Sequence, residues 1–441
     1  MRAPHTPPPR LSRRVARRPS VAGVDTAADL TTTRRPERVG PWTKGLWQPE
    51  PAGTEDWLAA GRHLLDGSFT WPLLTVDDAA VDHNVATMAA FAAEHGLLLA
   101  PHGKTSMAPG LFARQLAAGA WGMTVATGNQ ALAARAAGVR RLLIANQVLD
   151  DAVLRWLAGP GNADGGEAVL QLDSAAGLAR LAAVADPARP VPVLVELGHP
   201  GGRTGVRDDG GVLDLARAVR ATPGVRLLGV TAYEGGLPGL PEVRAFLERL
   251  RGAAATLAGA GLVDADDVTV SVGGSAWFDV VAGVLGGRPV LGGLPARVLL
   301  RSGSTVTHDH GVYAVRTPFT RVPGALRPAL RVWAQVASCP EPGLVIVGAG
   351  KRDVPVDEGL PVPLRVHRAG AAPATVEGWV LTRTNDHHAY LEAAGPAPTP
   401  LSAGDLLELG VSHPCTAFDK WRVVPVLDAD LRVTDLLATL F

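Results

Sequence analysis

The chain has 441 residues, and its 42 Lys and Arg balance 42 Asp and Glu, so the formal net charge is zero. At 47% hydrophobic and 19% charged it has the composition of a globular protein, long enough for two domains or for a barrel with an appendage. The balanced charge gives no electrostatic footing for nucleic acid or an anionic membrane, and no uncharged apolar run reaches the ~18 residues of a membrane span.

Residues 1–45 are rich in Arg, Pro and Thr. Arg13-Arg14 is not followed by an apolar stretch, so an export signal is not expected. This part reads as a disordered basic tail, or as an extension upstream of the true start. The two cysteines, Cys339 and Cys415, cannot make a disulfide framework and fit reduced thiols in a cytoplasmic protein.

From residue 70 short apolar runs alternate with amphipathic, Ala-rich stretches. Residues 72–76 read as a strand and 78–94 as a helix, with Val81, Val85, Met88 and Phe91 or Ala92 at helical spacing. Eight apolar runs follow, at 97–100, 123–125, 142–145, 169–172, 193–197, 227–231, 268–272 and 298–300. Helices are expected between them at 111–118, 130–137, 152–157, 175–183, 212–219, 241–258 and 277–282. Strands alternating with helices imply a parallel sheet, and eight units imply a (β/α)8 barrel over residues 70–304. Residues 305–441 are richer in Val, Thr and Pro with short alternating runs, and read as a mainly β second domain. The early strand at 71–77 is a candidate to pair with that domain.

In such a barrel the loops after the strands carry function. One of them is Pro101-His102-Gly103-Lys104-Thr105, in a chain whose only lysines are Lys44, Lys104, Lys351 and Lys420. A lysine at a barrel mouth loses solvation, its pKa falls, and the neutral amine can add to an aldehyde or take a proton. After the last two strands stand Gly273-Gly274-Ser275 and Arg301-Ser302-Gly303-Ser304, whose converging N–H groups make a candidate phosphate site. Near the C-terminus His413-Pro414-Cys415 offers one nitrogen and one sulfur to a borderline metal ion, with His388 a candidate third ligand or proton carrier.

Thr75-Val76-Asp77, Asn84 and the Pro101–Thr105 segment resemble the N-terminal region of the fold type III, alanine-racemase-like pyridoxal-phosphate enzymes. The branch that is most similar contains D-serine dehydratase and D-threonine aldolase. Arg203-Thr204-Gly205 and Tyr233-Glu234-Gly235 are similar to further segments of that branch. The resemblance implies pyridoxal 5'-phosphate as a Schiff base on Lys104, with His102, Arg203 and Tyr233 around it and its phosphate on Gly273, Gly274, Ser275, Gly303 and Ser304. Lys104, Tyr233 and His388 are the expected catalytic groups. It also implies zinc on His413 and Cys415, since a His-x-Cys segment marks the dehydratases and His-x-Asp the aldolases. Pro414 to Trp421 departs from the usual Cys-Pro-Thr context, and Asp386-His387-His388 from Glu-Glu-His, which bears on the substrate more than on the cofactor.

The expected activity is a lyase that deaminates a D-configured β-hydroxy amino acid such as D-serine or D-threonine, eliminating water. Retro-aldol cleavage, racemisation and a non-catalytic cofactor carrier are the alternatives. The resemblance implies a homodimer, with each site near the contact of one subunit's barrel and the other's β domain.

Overall fold

The structure, a computed structural model, describes residues 35–395 and 398–441. Most of the expected basic tail, residues 1–34, lies outside the described residues. Its remainder is packed: Arg38–Val39 pairs antiparallel with Ala52–Gly53, and Val39 is buried.

Eight parallel strands follow one another in chain order: Leu98–Leu99, Met123–Val125, Arg141–Gln147, Glu167–Leu172, Val191–Leu197, Val225–Ala232, Val268–Val272 and Leu294–Leu300. The last pairs with the first, Leu299 opposite Leu98, and a bridge between His102 and Thr124 joins the ends of the curl. Each strand covers one of the eight apolar runs. Seven helices lie between them, from Pro109–Ala117 to Phe278–Leu285, at the places the periodicity predicts. Several begin directly at a strand end because a short polar side chain caps them: Thr127 accepts from the Gln130 N–H, Ser174 from Gly177 and Asp208 from Gly211. The caps fix the mouth loops at their departure points.

Side chains alternate along a strand, so each barrel strand sends every second residue inwards. Outward residues such as Leu142, Ile144, Leu170, Val193 and Val195 pack beneath the helices. Inside, Leu143, Val169, Leu194, Leu228 and Leu299 join Trp121 as an apolar floor. Two residues further along their strands the inner layer turns polar, with Gln171, Glu196 and Arg301 all buried. A Leu→Ala change in the floor costs about 2–5 kcal/mol of stability. The polar layer above it must instead be paid in hydrogen bonds, and it is.

The second unit is an antiparallel sheet built around Leu330–Glu341, which pairs with Leu406–Gly410, Leu344–Val347 and Leu73–Asp77. The early strand thus leaves the barrel's sheet altogether, and its other edge runs parallel to Val423–Leu427. Trp333 and Trp421 fill the core of this unit, and their indole N–H groups donate to Thr75 Oγ1 and to the Asp353 carbonyl. Among the described residues no helix is long and apolar enough to cross a membrane.

Candidate active site

The strand Leu98–Leu99 delivers Pro101 and His102 to the mouth, where Gly103–Thr105 forms one tight helical turn. Gly103 is required there, because a Cβ would meet the Phe112 ring at 2.8 Å. The turn holds Lys104 half-buried over the barrel. Burial lowers its amine pKa; Cys415 opposes this, and the charges of Arg203 and Arg301 reinforce it. His102 lies deeper, and burial followed by the charges of Lys104, Arg301 and Arg203 holds it well below the usual imidazole range. Its Nδ1 is buried without a partner.

Opposite, Arg203 lies 4.5 Å over the Tyr233 ring, a cation–π pair on the wall of a cavity of about 290 Å³. Thr204 donates to Glu196 and the Gly205 N–H to Asp173, which fixes the loop carrying Arg203. Tyr233 is 40% exposed, so its face is available from the cavity. Arg301, which the sequence reading placed among loop donors, points down into the barrel. Its guanidinium donates to Thr231 Oγ1, Ser271 Oγ and the Ala232 carbonyl, and Gln171 donates to the same Thr231 hydroxyl.

The two glycine-bearing loops meet beside Lys104. Gly273 has φ +101°, open to glycine at little cost. The N–H groups of Gly273 and Gly274 donate to the buried Glu234 carboxylate at 3.3 and 2.6 Å. These two amides are therefore engaged by the protein, and the remaining donors of the pair of loops are hydroxyls. Ser304 donates to Ser275 at 2.7 Å. Gly303 passes flush against His102, whose carbonyl oxygen a Cβ would approach to 2.5 Å, so this loop and the lysine loop are locked together.

His413 and Cys415 arrive from the other sheet. Thr105, next to Lys104, lies 3.9 Å from the Cys415 sulfur. The His413 Nδ1 is 2.7 Å from Asp357, whose second oxygen accepts from Thr416. Burial works against charge on His413, but the bonds to Cys415 and Asp357 outweigh it and hold its pKa up to about 9. A proton shared between nitrogen and sulfur occupies the place a metal ion would take. The donor set fits zinc in kind, one imidazole and one thiol. Among the described residues no third His, Cys, Asp or Glu completes a cluster. His388 does not join the group; it is exposed on the turn between Trp379–Thr384 and Ala389–Ala393.

The structure therefore gathers Lys104, His102, Arg203, Tyr233, Ser275, Ser304, His413 and Cys415 at one mouth. An amine at one end, hydroxyls at the other and a cationic aromatic wall between them fit a phosphorylated aromatic aldehyde. The uncommitted Nδ1 of His102 adds one more open polar group. Asp357, Glu234 and Tyr313 complete the surroundings and were not foreseen. For Asp357 no local signal exists, because its relation to His413 arises only in three dimensions.

Residues 76–278 match the alanine racemase N-terminal domain family, and residues 329–427 the putative serine dehydratase domain family. D-threonine aldolase of Arthrobacter sp is 30% identical over 377 residues, covering 84% of this chain and 90% of that protein. The crystal structure of D-threonine aldolase from Filomicrobium marinum superposes with a TM-score of 0.67 at 26% identity, over 84% of this chain and 95% of that one. D-threo-3-hydroxyaspartate dehydratase from Delftia sp. HT23 gives 0.67 at 26%, over 84% and 97%. With its curl of eight parallel strands, its antiparallel second sheet and a lysine at the mouth, the chain belongs to the alanine-racemase-like, fold type III pyridoxal-phosphate enzymes, in the branch of D-threonine aldolase and D-3-hydroxyaspartate dehydratase.

Proposed function

We propose that this protein is a lyase that removes water from a D-configured β-hydroxy amino acid, of the D-serine or D-threonine type, leaving a 2-oxo acid and ammonia. The observation that carries the reading is Cys415 beside His413 at the barrel mouth, against the lysine loop. A related enzyme, D-threo-3-hydroxyaspartate dehydratase, has been solved as a cysteine-to-alanine variant in a metal-free form and as a histidine-to-alanine variant.

When bound, pyridoxal phosphate supplies the electron sink that makes an α-proton removable. Lys104 is the group to hold it and, once its amine is free, to take the α-proton; burial keeps that amine closer to neutrality than an exposed lysine. Arg203, stacked on Tyr233, brings a fixed cation to the aromatic wall, which disfavours protonation of a ring nitrogen placed beside it. Tyr233 keeps its proton, because burial and then the Glu234 charge raise its pKa, and so serves as a donor rather than a base. Ser275 and Ser304 are the hydroxyls for the phosphate, on loops shaped by Gly273, Gly274 and Gly303. His413 and Cys415 would hold a zinc ion, whose Lewis acidity suits a β-hydroxyl that must leave. The enamine left by elimination takes up water again to give the 2-oxo acid and ammonia, so the atoms balance without an oxidant. A homodimer and a cytoplasmic location remain part of this reading.

Retro-aldol cleavage is the second reading, favoured by the 30% identity to an Arthrobacter D-threonine aldolase. A panel of D- and L-β-hydroxy amino acids, scored separately for ammonia and for aldehyde, decides between them. Ammonia from D-substrates without aldehyde supports the dehydratase; aldehyde with glycine overturns it.

A further inference from the structure

The segment Thr307-His308-Asp309-His310-Gly311-Val312-Tyr313 has no part in the chemistry above, yet it is built with unusual rigidity. It runs as a strap from the barrel to the second sheet. The Ala329 N–H donates to the Thr307 carbonyl, His310 N–H to Val411 and Val312 N–H to Ser412, immediately before His413. Gly311 lies so close that a Cβ would meet the Ser412 carbonyl at 2.7 Å. Asp309, 1% exposed, accepts through one oxygen from the N–H groups of Gly311, Tyr313 and Ala314 at 3.0, 2.9 and 3.1 Å. The carboxylate fixes the first turn of Val312–Arg316 and, with it, the direction of Tyr313.

That direction is into the mouth. The Tyr313 ring lies 6.0 Å from His413, and its phenol reaches the Ser304 hydroxyl. Of the three tyrosines in the chain, two therefore stand at one site. Burial pushes the Tyr313 phenol up to about 12, so it keeps its proton.

A hydroxyl has a single proton to give. Ser304 gives its proton to Ser275. Tyr313 must then be the donor to Ser304, which suits a phenol facing a less acidic alcohol. Ser275 accepts from Ser304 and keeps its own proton, for which no acceptor is found among the described residues. The row of hydroxyls has one sense, from Tyr313 through Ser304 to Ser275 and outwards, and such chains strengthen along their length.

We propose that Tyr313 is a positioning residue of the phosphate seat: its phenol polarises Ser304 and Ser275 so that an O–H is already directed at the phosphate of the cofactor. The inference rests on the assignment of pyridoxal phosphate to this mouth.

Full-length protein, stripped of cofactor, is titrated with pyridoxal phosphate and with pyridoxal, which lacks the phosphate. Wild type should prefer the phosphorylated form. Tyr313→Phe, which keeps the ring against His413, should weaken pyridoxal phosphate roughly tenfold, the scale of one hydrogen bond to a charged group, and leave pyridoxal unchanged. Ser304→Ala should do the same, and the double variant should be no worse than either single. If Tyr313→Phe keeps the wild-type preference, weakens both ligands alike, or adds fully to Ser304→Ala, the inference is overturned while the cofactor assignment stands. If wild type binds neither ligand, the cofactor assignment falls first and the inference with it.

Discussion

On the barrel side of the site, Arg301 is 8% exposed and hydrogen-bonded to three strands' worth of acceptors, and the loops of Lys104 and Gly303 are locked backbone to backbone. On the other side, His413 is oriented by Asp357, a carboxylate whose side chain is 38% exposed, on a loop of short turns. The first half inherits its geometry from the barrel's interior, where a shift of one side chain is resisted by close packing. The second is set by a few side chains at a loop. A family can therefore keep one cofactor seat and vary the reaction by exchanging residues on that loop, which agrees with relatives named for aldol cleavage and for dehydration on one architecture.

The comparison breaks most visibly at Lys104. Lys104→Ala should remove both the yellow absorbance and the activity, the latter by more than about 10³-fold, the upper range for a proton-transferring group. Borohydride reduction of the wild type should leave the cofactor attached to this residue. Attachment to Lys44, Lys351 or Lys420 would overturn the assignment.

Cys415→Ala, or treatment with a chelator, tests the other half. Activity on β-hydroxy amino acids should fall by roughly 10²-fold or more, for loss of a Lewis acid, while the colour remains. Added zinc should restore the chelated enzyme but not the variant. Cys339→Ala, on the exposed side of the second sheet, should be nearly silent. Loss of colour in Cys415→Ala would show that the two halves are not separable.

A smaller effect sharpens the picture. Asp357→Asn keeps the shape and removes the carboxylate that orients His413, so metal affinity should drop about 10–100-fold, with the cofactor's absorbance unaltered. Equal metal binding in the variant would mean that the loop backbone, not Asp357, holds His413.

The smallest effect concerns the strap between the halves. Burial depresses His308 to about 4 from an ordinary imidazole value of 6.5. Its neutral burial therefore contributes stability that is complete above pH 6.5 and is lost as pH falls towards 4. The neighbouring Asp309, raised by burial to about 6, acts in the opposite sense and offsets part of that loss. Thermal melts between pH 7 and 4 should show a shallower decline for His308→Gln than for wild type, after allowing for its lower starting point. Parallel curves would assign the acid sensitivity elsewhere.

Much of the barrel was legible because it is written locally: period-two apolar runs, capped helices and glycines at strand ends. The lysine loop was legible for the same reason, as was the His413–Cys415 pair two residues apart. What escaped were relations between distant segments. Glu234 was read as part of a Tyr-x-Gly segment, yet its carboxylate engages the amides of Gly273 and Gly274. Arg301 was read as a mouth donor, but strand alternation sends it inside with Glu196 and Gln171. His388 was grouped with the metal pair by residue type, and the chain leaves it on an exposed turn. Periodicity encodes burial along an element; it carries no record of which element lies opposite.

The strand Leu73–Asp77 has a consequence for how this protein is made. It precedes the barrel in the chain, but its partners are Leu330–Glu341 and Val423–Leu427 in the last third. On a ribosome the strand emerges early and waits, unpaired, through synthesis of the whole barrel. During that interval its edges and the buried faces of Leu73, Leu74 and Val76 are open to wrong partners, the exposure that makes long-range pairing slow and prone to aggregation. The barrel and the second sheet are joined at both ends of the barrel's sequence, so neither cofactor seat nor metal loop can be released as an independent fragment by cutting at residue 305 alone. Such a cut takes the early strand's partners away and leaves its edges bare.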